Sequence, residues 1–114
     1  MKFLLSLLCT SLLVLFSSLQ LVFGQNVEVS LEAGEKVFTS NCASCHIGGN
    51  NVIVPDKTLK IGDLEKNSKD SVDAIITQVT NGNGNMPAFG DKLDENEIQS
   101  VANYVLNQAK TNSW

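Results

Sequence analysis

Two cysteines three positions apart, followed at once by a histidine, limit this chain more than any other feature: Cys42-Ala43-Ser44-Cys45-His46. Four chemistries use such a spacing. A thioredoxin-like redox pair belongs beside a βαβ pattern, and no stretch here alternates convincingly with period two. A structural zinc site needs four ligands, and the residues after position 24 offer only Cys42, Cys45 and His46. A plain disulfide leaves His46 without a role. Covalent haem uses all three residues. Each thiol forms a thioether with one of two vinyl groups on one side of the macrocycle, and the adjoining histidine reaches the iron from below. The motif reads as c-type haem attachment, with Cys42 and Cys45 as the covalent anchors and His46 as an axial ligand.

The first residues obey different rules. Lys2 supplies a short positive region, and positions 3–23 are apolar, broken only by Ser, Thr, Cys and Gln. Val22 and Gly24 are small enough for the −3 and −1 positions of a signal-peptidase site. Residues 1–24 are therefore expected to be a signal peptide, and residues 25–114 a single domain. An uncleaved anchor is the alternative, since about 20 apolar residues can span a bilayer. A lipoprotein role for Cys9 is disfavoured, because Leu8 precedes it in the middle of the apolar run.

Cleavage sharpens the arithmetic. Cys9, Met1 and Lys2 leave, so His46 is the only histidine, Met86 the only methionine, and the formal charge moves from −4 to −5. The chain contains no Arg, and its acidic balance argues against a nucleic-acid partner. A domain of about 90 residues builds only a modest core, which a buried prosthetic group would reinforce.

Helical periodicity fills most of the rest. Ser30 is placed to cap a helix running to about Asn41, with Glu32 and Glu35 near its positive end. Positions 47–55 hold Gly48, Gly49, Asn50, Asn51 and Pro55 and read as irregular loop. A weak helix is expected over 58–66. Val72, Ile75, Ile76 and Val79 fall at i, i+3, i+4 and i+7 in a helix over 70–79, stopped by Gly82. Residues 81–90 form a second Gly- and Asn-rich loop around Met86-Pro87. Asp94 and Glu97 form a capping box opening a final helix with the stripe Ile98, Val101, Ala102 and Val105. The chain reads as all-α, with about four helices.

The second axial ligand follows by elimination. With no second histidine, and with Tyr104 on the last helix beside its apolar stripe, Met86 remains as a thioether that suits haem iron and raises its potential. A lone methionine is often an ordinary core filler, but Gly84, Asn85 and Pro87 place this one on a loop. It lies 40 residues after His46, enough chain to pass round a haem and return on its other face. Iron held on both sides by protein suits electron transfer and not catalysis, so the chain is not expected to be an enzyme. No phosphate-binding loop is present, and a nucleophilic triad could not be built without using His46 twice. Phe38 and Tyr104 could meet across crossing helices with Gly34 allowing close approach, and Phe89 would pack near the haem. Trp114 is expected at a frayed end.

These blocks carry a resemblance. Gly34-Glu35-Lys36-Val37-Phe38, the haem motif, Gly48-Gly49-Asn50-Asn51, Pro55-Asp56-Lys57-Thr58-Leu59, Met86-Pro87-Ala88-Phe89-Gly90 and Ala102-Asn103-Tyr104-Val105 make the chain similar to the cytochrome c6 family. The resemblance implies a small class I cytochrome c fold over 25–114 around one covalently bound haem c. It implies a soluble carrier of the thylakoid lumen that takes an electron from the cytochrome b6f complex and delivers it to photosystem I. Docking would be brief, through an exposed haem edge with electrostatic guidance.

Two positions depart from the family pattern as read from the sequence. Thr80 stands where members often carry a Gln near the haem, and Lys92 where many carry Arg, which keeps the charge but loses the bidentate geometry. Two rivals share part of this pattern. A periplasmic cytochrome serving a respiratory oxidase would differ in its partner. A thiol–disulfide oxidoreductase would be colourless and would lose activity when Cys42 and Cys45 are alkylated.

Overall fold

Residues 31–114 are described here from a computed structural model. The expected signal peptide at 1–24, the start of the domain at 25 and the Ser30 cap lie outside the described residues. Helix α1 covers residues 31–41. A single turn, α2 (Ala43–His46), runs into a 3-10 turn at Ile47–Gly49 and is followed by α3 (Ile61–Lys66), α4 (Val72–Asn81) and α5 (Glu95–Thr111). Among the described residues there is no β-strand, only an isolated antiparallel bridge between Asn83 and Met86. The all-α expectation holds. The fifth helix, α2, was not anticipated because four residues are too few to show periodicity.

The helices start where local chemistry lets them. α5 opens with the full capping box: Glu97 N–H donates to Asp94 at 2.8 Å and Asp94 N–H donates to the Glu97 carboxylate at 3.1 Å. α4 begins at Val72, two residues later than expected, because Ser71 is extended and its hydroxyl accepts from Ala74 N–H at 3.1 Å. α3 begins at Ile61, three residues late. Lys60 is extended, and the preceding Thr58 hydroxyl is bound to the Asp63 carboxylate.

Packing joins α1, α4 and α5 into one apolar cluster. Val37 and Phe38 from α1 meet Ile75 and Val79 from α4, and Ile98, Val101, Ala102, Val105 and Leu106 from α5. Phe89 and Leu93, between α4 and α5, complete it. α1 crosses α5 at Gly34, where a side-chain carbon would overlap the Ser100 carbonyl oxygen and the Cβ of Tyr104. The absent side chain lets the backbones touch. One turn further on, Phe38 and Tyr104 pack with ring centroids 5.5 Å apart at a tilt of 55°.

Trp114 corrects the expectation of a frayed end. Asn112 adopts a left-handed conformation (φ 49°) that reverses the chain after α5, and Ser113 N–H donates to the Gln108 carbonyl at 3.0 Å. The reversal lays the indole against Phe38, centroids 5.3 Å apart, and edge-on to Tyr104 at 6.2 Å. Among the described residues no helix is long and apolar enough to cross a membrane.

Gly34 gives the fold its test. Alanine there gains about 1 kcal/mol of helix propensity, but its methyl must push α1 away from α5, and overpacking costs about 1–3 kcal/mol. Because the obstacle is backbone, Gly34→Ala is expected to lower stability, seen as a lower urea midpoint at unchanged m-value.

Candidate haem site

The haem motif is shaped by the way α1 ends. Cys42 N–H still donates to the Phe38 carbonyl at 2.8 Å, as in a continuing helix. The chain then turns so that Cys45 and His46 N–H both reach the Cys42 carbonyl, at 3.2 and 2.9 Å. Residues at i, i+3 and i+4 share a helix face. One turn thus brings Cys42, Cys45 and His46 to the same side. Both thiols are free and half-buried. Burial, helped by the neighbouring Cys45, pushes the Cys42 thiol up to about 11.

His46 is oriented by the following loop. Its Nδ1 lies 3.0 Å from the Asn50 carbonyl. A carbonyl only accepts, so the hydrogen bond assigns the ring proton to Nδ1 and leaves the Nε2 lone pair free for a metal. Gly48 (φ 62°) and Gly49 (φ 75°) take left-handed conformations that reverse the chain and bring Asn50 back under the ring. Beyond them Asn51 organises the loop, its side-chain carbonyl accepting from Ile53 and Val54 N–H at 3.1 and 2.8 Å. The loop then displays Ile47, Val52, Ile53 and Val54, which are 65%, 58%, 49% and 37% exposed. Exposed apolar side chains grouped in one loop beside the motif mark an interaction site.

Met86 comes from the opposite end of the sequence block. α4 stops at Gly82, whose φ of 66° and close approach to the Met86 carbonyl and Ala88 nitrogen exclude a side chain. Asn83 and Met86 then exchange two backbone hydrogen bonds, each 3.0 Å, around the two-residue loop Gly84-Asn85. Gly84 takes positive φ (57°) at the first loop position, as tight hairpins prefer. Phe89 and Gly90 N–H donate to the Val79 and Thr80 carbonyls at 2.9 and 3.2 Å, folding the loop over the end of α4. Met86 is half-buried and, like Cys42, packs against the shared apolar cluster.

The sequence reading missed Gln78. Its amide Nε2 lies 3.5 Å from the Met86 sulfur, so the polar neighbour of Met86 is Gln78, and Thr80 instead uses its backbone to hold Gly90. The loop doubles back by two residues more than the linear count to Thr80 allowed for. Only the tight Asn83–Met86 hairpin reveals that offset. Lys92 sits with its ammonium 5.6 Å from the centre of the Phe89 ring.

The donor set fits a c-type haem: paired thiols, an imidazole presenting Nε2, a thioether on a separate loop and an apolar wall. Among the described residues no group of three His, Cys, Asp or Glu side chains is arranged to hold a metal ion directly.

Comparisons with known proteins agree with this chemistry. A family model described as "Cytochrome C oxidase, cbb3-type, subunit III" matches residues 29–105. The cytochrome c6 of Bumilleriopsis filiformis is 58% identical over 80 residues, covering 70% of this chain and 93% of that protein. That of Porphyra purpurea is 59% identical over 80 residues, covering 70% and 73%. The solved cytochrome c6 of the diatom Phaeodactylum tricornutum superposes with a TM-score of 0.71 at 46% identity, covering 74% of this chain and 98% of that one.

The two glycines of the Met86 loop are expected to behave differently. Gly84 faces open space, so Gly84→Ala costs only the left-handed backbone penalty of about 1–2 kcal/mol. Gly82→Ala adds a backbone clash to the same penalty and should lower the thermal midpoint clearly further, a ranking that paired melting curves would check.

Proposed function

The chain belongs to the cytochrome c6 family of c-type haem electron carriers, and from that premise we propose a full assignment of its site and its task. Cys42 and Cys45 carry the haem as thioethers, and His46 and Met86 hold the iron from its two sides. The protein is a soluble carrier, released into the thylakoid lumen after loss of residues 1–24. It takes an electron from the cytochrome b6f complex and passes it to photosystem I. The observation that carries this reading is the pair of supported ligands: an imidazole whose Nδ1 is bound to Asn50, and a thioether presented by a two-bond hairpin.

The haem supplies a one-electron couple; the chain sets its energy and its access. The Asn50 carbonyl fixes the His46 tautomer and makes the ring a better donor. Met86 favours the reduced state and raises the potential. The Gln78 amide directs the positive end of its dipole at the Met86 sulfur, which also favours the state of lower positive charge. Two protein ligands held by backbone hydrogen bonds keep their places whichever oxidation state they serve, so little reorganisation accompanies transfer. The exposed apolar side chains around 47–54 give a partner a surface that needs little desolvation of charge. Long-range guidance comes from Lys92 and from the acidic surplus of the chain.

Ligation is tested by Met86→Leu in the haem-loaded protein. Its reduction potential should fall, and added cyanide or imidazole should bind the ferric form readily. A potential and ligand affinity equal to the parent's would remove Met86 from the iron.

The task is tested by flash kinetics with photosystem I. The ferrous protein should reduce it faster than it reduces a respiratory oxidase, the partner that the name of the matching family model evokes. Lys92→Glu should slow the photosystem I reaction, most strongly at low salt. A parent that favours the oxidase would sink the photosynthetic assignment, and an unchanged Lys92→Glu rate would exclude Lys92 from docking.

A further inference from the structure

The last residue of the chain touches both ends of the loop that orients His46. Gly49 and Leu59 close that loop, Leu59 N–H donating to the Gly49 carbonyl at 2.7 Å. The indole of Trp114 donates from Nε1 to the Leu59 carbonyl at 3.2 Å, across 55 positions of sequence. Its ring also lies directly over Gly49, where any side-chain carbon would collide with Cγ, Cδ1 and Cδ2 of the indole. Asn50 follows Gly49 immediately and supplies the carbonyl that accepts from His46 Nδ1. The path from Trp114 to the imidazole therefore runs through three hydrogen bonds and a single peptide unit, with the ring contact on Gly49 as a shorter parallel route.

The loop has little else to hold it. Val52, Ile53 and Val54 are largely exposed, so they contribute little burial energy of their own. Its other ties are the Val52 N–H bond to the Cys45 carbonyl at 3.0 Å and the turns around Asn51, whose side-chain N–H also donates to the Lys57 carbonyl at 3.0 Å. The Thr58 hydroxyl bond to Asp63 and the packing of Leu59 on the apolar cluster complete them, all near its ends or local to it. Segments with few buried apolar contacts open locally at low cost. Trp114, by contrast, is fastened to the helical core by Phe38 and Tyr104 and by the reversed tail at Asn112 and Ser113. Gln108 adds a side-chain bond to the Ser113 carbonyl at 2.9 Å. A rigid body thus grips a weakly held loop.

We propose that Trp114 is a positioning residue for His46: a C-terminal clasp that keeps the Gly49–Leu59 loop closed and so holds the Asn50 carbonyl against the imidazole. This rests on the reading of His46 as an iron ligand. The orientation and basicity of a metal-bound histidine depend on such a partner, so the C-terminus becomes part of the haem environment without touching the haem.

The test uses the isotopically labelled, haem-loaded ferrous protein and NMR. Three variants probe the clasp: removal of Trp114 by a stop after Ser113, Trp114→Phe, which keeps a ring over Gly49 but loses the Nε1 donor, and Gly49→Ala, which displaces the indole and also strains the left-handed backbone at φ 75°. Removing Trp114 should speed exchange of the Leu59 amide and the His46 Nδ1 proton by about tenfold or more, through opening that does not depend on denaturant. The Nδ1 proton resonance should also move upfield in the folded protein as its hydrogen bond weakens. Trp114→Phe should give a smaller change of the same kind, so the idea stays testable if the truncated chain folds poorly. In Gly49→Ala the emission of this sole tryptophan should shift together with the Nδ1 resonance.

The proposal is overturned if both protons speed up only in step with the core amide of Ala102, with the same denaturant dependence, while the Nδ1 resonance stays in place. Trp114 would then add global stability and nothing more. A failure of the ligand assignment looks different: the His46 ring resonances of the parent protein would lack the large displacement that a haem face imposes, whatever the Leu59 amide does.

Discussion

The close crossing of α1 and α5 is the contact from which the rest of the molecule is laid out. It exists because Gly34 has no side chain where the Ser100 carbonyl and Tyr104 arrive. α1 is packed there against α5, and Cys42, Cys45 and His46 occupy the turn immediately after α1. The crossing also brings Phe38 to Tyr104, and with them the platform on which Trp114 comes to rest.

The other side of the site is organised by hydrogen bonds more than by burial. The stop at Gly82, the Asn83–Met86 hairpin and the bonds of Phe89 and Gly90 to the last turn of α4 tie Met86 to a helix that is itself packed on α5. Two loops rich in Gly and Asn thus spring from a single helical frame. Glycine serves both by allowing left-handed backbone where the chain must reverse sharply, at Gly48, Gly49, Gly82 and Gly84. Loops of this kind expose polar backbone to water while presenting one chosen side chain inward, which a rigid metal ligand requires.

Polar partners then tune what the frame positions. Asn50 accepts from His46, and Gln78 donates toward Met86. Their effects on a haem iron are of opposite sense, because a more basic imidazole favours the oxidised state and a dipole aimed at the thioether favours the reduced one.

Much of this was legible in the residues themselves. The Cys-x-x-Cys-His spacing named a cofactor, because covalent chemistry demands fixed positions along the chain. Elimination points to Met86 as the proposed second ligand, because one histidine and, after position 24, one methionine leave no competition. The helices over 31–41, 72–81 and 95–111 announced themselves through caps and periodicity, which are local properties. What only the tertiary structure decided were contacts between segments distant in sequence or offset by a turn. Gln78 rather than the residue at position 80 meets Met86, because the hairpin folds back further than a linear count predicts. Trp114 is a clasp rather than a loose end, because Asn112 reverses the chain toward a surface built by α1 and α5. Local energetics write the elements into the sequence; which side chains meet across them depends on distances that no single segment contains.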